Sequence, residues 1–322
     1  MFSKNEWDPL KKVIVGVADY ATIPPLDISL RTVNYADVKD TTTIKAGQYP
    51  KQVIDEANED LETLADFLKT CGVEVLRPTP SPVEYYNYCP RDTTIVYKDN
   101  AIVAPMTIKA RQNEYQHYAQ HLTNIHTVPN YQGDDIYNLE CLGDKDTLAL
   151  HNTHPKFDAA NVIRANDDLL YLVSNTGNKL GAQYLQDLLG VKVHTLENVY
   201  SYIHIDSTIA FLREGLMLLN SSRIKDVNVL PEPFRSWDYI MCPEPVDIGH
   251  YPGYCNASTW INVNLLSVNP NLVILEEHQD NLRIELEKKN IECAMLPMRH
   301  ARTLGGCFHC VTLDLVRDHA NY

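Results

Sequence analysis

The chain has 322 residues, 28 of them lysine or arginine and 42 aspartate or glutamate, for a net charge of −14. That acid excess argues against nucleic-acid binding, which needs a basic face, and 44 % hydrophobic with 22 % charged residues excludes collagen, coiled coil and long disorder. No stretch reaches the roughly 18 uninterrupted apolar residues of a membrane helix, so no membrane association is expected. The opening Met1-Phe2-Ser3-Lys4-Asn5-Glu6-Trp7-Asp8-Pro9 has neither an apolar signal core nor an Arg-rich, acid-poor transit character. The eight cysteines, at 71, 89, 141, 242, 255, 293, 307 and 310, are scattered through a chain too long to need staples. Free thiols in a reducing, cytoplasmic compartment are the expectation.

Val13-Ile14-Val15 reads as a short buried strand. Over 51–70, Val53, Ile54, Ala57, Leu61, Leu64 and Leu68 recur at three-to-four-residue spacing, which predicts an amphipathic helix ended by Cys71-Gly72 and followed by the strand Val73-Glu74-Val75-Leu76. Ile102-Val103-Ala104, then a helical 109–122, is a weaker copy of this arrangement. A closer copy runs through the strand Leu169-Leu170-Tyr171-Leu172-Val173, Asn175 as helix cap, a helix over 179–189, Gly190 and the strand Val191-Lys192-Val193. His204-Ile205-Asp206-Ser207-Thr208 also reads as a strand, whose alternation puts His204, Asp206 and Thr208 on one face. Residues 230–252 hold five prolines and no periodicity, which predicts a long irregular loop. The last copy is Leu272-Val273-Ile274-Leu275, a helix near 278–288, and Ile291-Glu292-Cys293-Ala294-Met295. These recurrences suggest small modules arrayed around a centre. No charge block or low-complexity tract divides the chain, so 1–322 is expected to be a single domain.

The most unusual segment is Arg302-Thr303-Leu304-Gly305-Gly306-Cys307-Phe308-His309-Cys310-Val311-Thr312-Leu313-Asp314. Its paired glycines let backbone approach a ligand beside a thiol. Cys307 and Cys310 could instead be a redox or zinc pair, but a lone C-x-x-C without a second pair is a weak zinc signal. His204 and Asp206 could do acid–base work or bind a metal, Asp158 lies among small residues in Phe157-Asp158-Ala159-Ala160, and Pro90-Arg91-Asp92 precedes a strand and could be only a turn. Taken together, a thiol, a histidine and several carboxylates are the equipment for attacking a cationic, guanidinium-like carbon.

In this order the segments resemble the arginine:glycine amidinotransferase family, which includes the inosamine-phosphate amidinotransferases. The likeness runs from Asn5-Glu6-Trp7-Asp8-Pro9-Leu10 and Val13-Ile14-Val15-Gly16 through Pro90-Arg91-Asp92 and Ala104-Pro105-Met106. It continues in Phe157-Asp158-Ala159-Ala160, Val162-Ile163-Arg164-Ala165 and His204-Ile205-Asp206, and ends in Leu304-Gly305-Gly306 with Phe308-His309-Cys310. The resemblance implies a five-bladed α/β propeller of ββαβ modules with pseudo-fivefold symmetry. It implies a catalytic set of Cys310, His204 and Asp158, with Asp92 and Asp206 holding the guanidinium and Arg223 and Ser258 the donor carboxylate. It also implies ping-pong transfer of the amidino group of L-arginine through a Cys310 adduct to an acceptor amine. Glycine is the default acceptor, giving guanidinoacetate and ornithine, with no metal or organic cofactor and commonly a homodimer.

Some positions depart from the pattern. Cys307 stands where glycine is usual, Asn161 replaces an acidic residue, and Ser201 and Ile203 in Tyr200-Ser201-Tyr202-Ile203 stand where glycine-using relatives carry Asn and Met. The acceptor is therefore open to lysine or a biosynthetic amine. An arginine deiminase or dihydrolase, which passes the intermediate to water, and a non-catalytic guanidine binder are the rival readings.

Overall fold

The computed structural model describes residues 1–201 and 203–319. In chain order the first elements are β1 (Leu10–Val15), β2 (Thr22–Ile23), α1 (Ile28–Val33), β3 (Gly47–Gln48), α2 (Lys51–Thr70) and β4 (Glu74–Leu76). They are followed by β5 (Thr94–Tyr97), β6 (Asn100–Val103) and β7 (Ile125–Thr127), then β8 (Val162–Ala165), β9 (Asp168–Leu172), α3 (Lys179–Leu189) and β10 (Lys192–Leu196). The remainder is β11 (Ile209–Arg213), β12 (Leu216–Asn220), α4 (Glu232–Arg235), β13 (Asp238–Cys242), β14 (Leu266–Asn269), β15 (Leu272–Glu276), α5 (Asp280–Glu287), β16 (Glu292–Leu296), α6 (Ala301–Leu304) and β17 (Thr312–Arg317).

Beside the β2–β3 ribbon, these strands make five three-stranded sheets of one pattern. In each, a first strand pairs antiparallel with a second, and the second pairs parallel with a third: β5-β6-β7, β8-β9-β10, β11-β12-β13, β14-β15-β16, and β17-β1-β4. A parallel partner needs a crossover, and the helices α2, α3, α4 and α5 supply it in four of the five. The first strands neighbour one another: β8 lies against β11, β11 against β14, and β17 against β5, while β14 touches β1. The fold is α/β.

Helix α2 buries Val53, Ala57, Leu61, Leu64 and Leu68, the stripe that its 3.6-residue period demands. Helix α3 ends at Gly190, whose φ of 64° is left-handed. Its cap is Asn178, which accepts from the Gly181 N–H, rather than the expected Asn175. The Asn175 carbonyl is occupied by the N–H groups of Ala149 and Leu150.

Three further segments differ from the sequence reading. Residues 109–122 form short 3₁₀ turns instead of a helix, with Arg111 and Glu114 drawn into the interior by Asp92 and the Tyr86 N–H, partners distant in the chain. The run 204–208 is a tight turn, Ile205–Ser207, with His204 as its N-cap. The supposed loop 230–252 contains α4 and β13, the latter completing a sheet beside β12. No helix among the described residues is long and apolar enough to cross a membrane.

Where the sheets meet, Glu6, Arg91, Arg164, Asp314 and Arg317 form a buried ion cluster. Arg164 reaches Glu6 and Asp314, each at 2.7 Å, Arg91 reaches Asp314 at 2.5 Å, and Arg317 reaches Asp314 at 2.7 Å. Burial opposes the charged carboxylates, but the Arg164 and Arg91 guanidiniums hold both Glu6 and Asp314 well below the usual carboxylate range.

Candidate active site

Each sheet's first strand is preceded by a tight turn, and these five turns converge. Asp92 closes the turn Pro90–Asp92 ahead of β5, Asp158 caps Ala159–Asn161 ahead of β8, and His204 caps Ile205–Ser207 ahead of β11, with Asp206 at the centre of that turn. Asn264 ends Thr259–Val263 ahead of β14, and Cys310 stands two residues before β17. One group from each module thus reaches a common place.

Cys310, His204, Asp206, Arg223 and Ser258 all border one cavity of about 320 Å³. The Cys310 sulfur lies 3.1 Å from Asp206 Oδ2 and 3.1 Å from Asn264 Nδ2. Its hydrogen bond to the Cys89 thiol, its burial and the charges of Asp206 and Asp92 push it well above the ordinary thiol value, against a hydrogen bond with His204. Gly306 permits this crowding: a Cβ there would come within 2.5 Å of Cys89 Sγ and 2.8 Å of Cys310 Cβ. Gly306 thus lets the backbone pack against the two thiols, whereas the sequence suggested that the glycine pair makes room for a ligand.

His204 Nε2 is 3.1 Å from Asp158 Oδ2 and Nδ1 is 3.7 Å from Asp92 Oδ1. Burial disfavours its charged form, but the Asp92 charge and the hydrogen bonds to Asp158 and Cys310 outweigh it and hold the imidazole well above its usual value. Asp158 is fixed by Thr107, whose N–H and hydroxyl donate to Oδ1 at 3.0 and 2.9 Å.

Asp92 and Asp158 stand one layer back, on a space of about 20 Å³ whose wall also includes His204. Asp92 Oδ2 accepts from Arg111 at 2.7 Å, while the buried Oδ1 has no hydrogen-bond partner among the described residues. Burial raises this carboxyl above its ordinary value in spite of His204 and Arg111. Asp206 behaves oppositely: burial raises it, but the hydrogen bond from His309 Nδ1, at 2.9 Å, and the neighbouring His204 bring it below the usual carboxylate value.

Arg223 directs Nη1 at three hydroxyls, Ser201 at 3.1 Å, Ser207 at 2.7 Å and Thr208 at 2.7 Å. Among the described residues no carboxylate pairs with it, and burial pulls its pKa down to about 10. Ser258 accepts the Trp260 N–H at 3.3 Å and caps its turn while bordering the cavity. Cys307 is buried in the hydrophobic core and stands off the cavity. Among the described residues, the group able to hold a metal is Glu276, Glu277 and His278, which includes neither Cys307 nor Cys310. Tyr202 lies outside the described residues.

Sequence reasoning missed the residues that hold these groups. Arg111 reaches Asp92, Thr107 fixes Asp158, His309 fixes Asp206, Cys89 touches Cys310, and Asn264 binds the Cys310 turn. His309 sat in a quoted motif, but only its place beside Cys310 marked it. The others carry no local signal.

The turns thus gather a buried thiol, an imidazole and a carboxylate at one cavity that the Arg223 guanidinium also borders, the groups that thiol attack on a cationic carbon would use. The comparisons agree in kind. No protein-family model matches the chain. It is 39 % identical over 336 residues, 97 % of this chain and 95 % of the relative, to an inosamine-phosphate amidinotransferase 1 of Streptomyces glaucescens. It is 28 % identical to the mitochondrial glycine amidinotransferase of Danio rerio, over 97 % of this chain and 82 % of that protein. Among solved structures, the inosamine-phosphate amidinotransferase StrB1 from Streptomyces griseus superposes with a TM-score of 0.93 at 39 % identity, covering 99 % of this chain and 97 % of that one. The chain belongs to the amidinotransferase family, and it is an amidino-transferring enzyme.

Proposed function

We propose that the enzyme moves the amidino group of L-arginine to an acceptor amine through a covalent adduct on Cys310. The observation that carries this reading is the Cys310 sulfur, 3.1 Å from Asp206 in a cavity that it shares with His204 and the unpaired Arg223. Arginine enters with its carboxylate toward Arg223 and Ser258 and its guanidinium toward Asp206 and the unpartnered oxygen of Asp92. The guanidinium stays cationic and electrophilic. Its arrival adds positive charge beside a thiol that the two carboxylates otherwise keep protonated, so substrate binding itself favours the thiolate, and the displaced thiol proton leaves through the cavity to water. Cys310 Sγ bonds to the guanidinium carbon, the C–N bond to the ornithine nitrogen breaks, and His204, held protonated by Asp158 and Asp92, gives that nitrogen its proton. The acceptor amine then attacks the adduct, its proton returns through His204, and Cys310 leaves as thiolate.

For the acceptor, we place a phosphorylated amino-alcohol of the inosamine-phosphate kind ahead of glycine, because the relatives so named are 39 % identical against 28 % for the glycine enzyme. Ser201 and Ile203, which border the cavity, add to that preference. Glycine is the second reading. In this account 1–322 is one domain whose five sheets close as the blades of a propeller, a closure supported by the neighbouring first strands. It works in the cytoplasm as a homodimer without metal or organic cofactor.

The test is product analysis with amidino-labelled arginine and no acceptor, an inosamine phosphate, glycine, lysine or other amines. Label on one acceptor with equimolar ornithine supports transfer and identifies that acceptor. Citrulline or ammonia without any acceptor would make the protein a hydrolase.

A further inference from the structure

Asn264 is the group contributed by the one turn to which no role has been given. Its Oδ1 accepts the N–H groups of Cys310, at 3.0 Å, and Cys307, at 3.1 Å. An amide oxygen must face those two donors, so the orientation of the side chain is fixed by its partners and the NH₂ group is turned to the other side. There Nδ2 stands 3.1 Å from Cys310 Sγ. The Asn264 carbonyl also accepts the His309 N–H, at 3.3 Å. The residue is buried, borders the cavity, and sits two positions ahead of β14, as Asp92 does ahead of β5 and Cys310 ahead of β17.

We propose that Asn264 is a further catalytic residue, whose NH₂ group donates to the Cys310 sulfur and stabilises its thiolate while its carbonyl oxygen clamps the 307–310 turn. The chemistry requires such a donor. Asp206 and Asp92 are suited to a guanidinium but repel a thiolate, and after ornithine departs the sulfur must again leave as an anion when the acceptor takes the amidino group. A neutral N–H donor relieves that repulsion without competing for the carboxylates. One side chain couples the two tasks, since the hydrogen bonds that orient the amide also hold the sulfur over it.

This inference rests on Cys310 being the nucleophile, and its test reads the sulfur directly. The rate at which iodoacetamide alkylates Cys310, followed on its peptide by mass spectrometry, is measured across the neutral to alkaline range in wild type, Asn264→Asp and Asn264→Ala. Asn264→Asp keeps an oxygen for the two N–H groups and so keeps the turn, but it replaces the donor with a carboxylate. One unit of added thiol pKa lowers the thiolate fraction tenfold and raises its intrinsic nucleophilicity by about threefold, so alkylation slows about threefold per unit. We expect Asn264→Asp to slow by about threefold to tenfold, with thermal stability close to wild type and a KM for arginine changed less than kcat. Wild-type alkylation and kcat in Asn264→Asp, with loss confined to Asn264→Ala, would leave a clamp alone and overturn the donor role. Retained turnover in Cys310→Ala would instead defeat the underlying reading, so the two failures are distinct.

Discussion

Two buried charged clusters lie within one molecule and are built to opposite ends. In the cluster of Glu6, Arg91, Arg164, Asp314 and Arg317, each carboxylate is matched by at least two guanidiniums, and backbone and hydroxyl acceptors take up further donors: Arg164 also donates to Ser3 Oγ and the Val96 carbonyl, and Arg317 Nη1 to the Asp8 and Ser267 carbonyls, while Arg317 Nη2 has no hydrogen-bond partner among the described residues. At and behind the cavity, among the described residues, Asp92 Oδ1 accepts no hydrogen bond, Arg223 has hydroxyl partners and no carboxylate ion pair, and the charges of Asp206 and Asp92 act together on the Cys310 thiol. A cluster whose carboxylates are matched by guanidiniums from several sheets locks those sheets together, whereas carboxylates with fewer cationic partners beside a cavity leave room for a cationic substrate. His309 marks the border, with Nδ1 on Asp206 and Nε2 3.5 Å from Glu6.

Substitutions on each side of this border separate the two roles. Cys310→Ala should lower turnover on the order of 10⁴-fold or more while leaving the fold intact, because it removes the proposed nucleophile and opens only a small space beside an existing cavity. Activity retained there, and lost instead in Cys307→Ser, would reassign the nucleophile. Arg164→Met should do the reverse: stability measured by denaturant falls by about 3–5 kcal/mol because Glu6 and Asp314 lose their partner while buried. An unchanged midpoint would show that Arg91 and Arg317 suffice.

Smaller effects refine the comparison. Asp92→Asn should cut kcat/KM for arginine by about tenfold to a hundredfold with a modest change in stability, and an unchanged value would remove Asp92 from the guanidinium clamp. For pH, Glu6 and Asp314 are depressed in the folded protein, so their contribution is complete above the unfolded carboxylate pKa of about 4 and is lost as pH falls through their folded values. Acid unfolding followed below about pH 4 should therefore be steep in wild type and flatter in Glu6→Gln. Ser258→Ala should lower kcat/KM for arginine by about threefold to tenfold, since it removes one neutral O–H donor to the carboxylate while the Arg223 guanidinium remains, and an unchanged value would remove Ser258 from the carboxylate site.

Much of this was legible in the chain. The periodicity of 51–70 and the Gly190 terminus placed α2 and α3 because both signals are local. The quoted motifs were more mixed than they looked: Asn5-Glu6-Trp7-Asp8-Pro9, Pro90-Arg91-Asp92 and Val162-Ile163-Arg164-Ala165 owe Glu6, Arg91 and Arg164 to the lock, not to the cavity. His204–Thr208 was misread as a strand because its β-branched residues suggested one, while the contacts that bend it, to Asp158 and His309, come from residues 46 and 103 positions away. Asn264 was invisible for the same reason. Its partners Cys307 and Cys310 lie 43 and 46 positions on, and a lone asparagine ahead of an apolar run carries no period.

The central claim is that the amidino group rests on Cys310 between two half-reactions. The most direct test incubates the enzyme with amidino-labelled arginine and no acceptor, quenches it in acid, and follows the Cys310 peptide by mass spectrometry. The account predicts an amidino adduct on Cys310 with one ornithine released per adduct, discharged when the acceptor is added. Ornithine or citrulline formed by turnover with Cys310 unmodified, or an adduct on another cysteine, would contradict it.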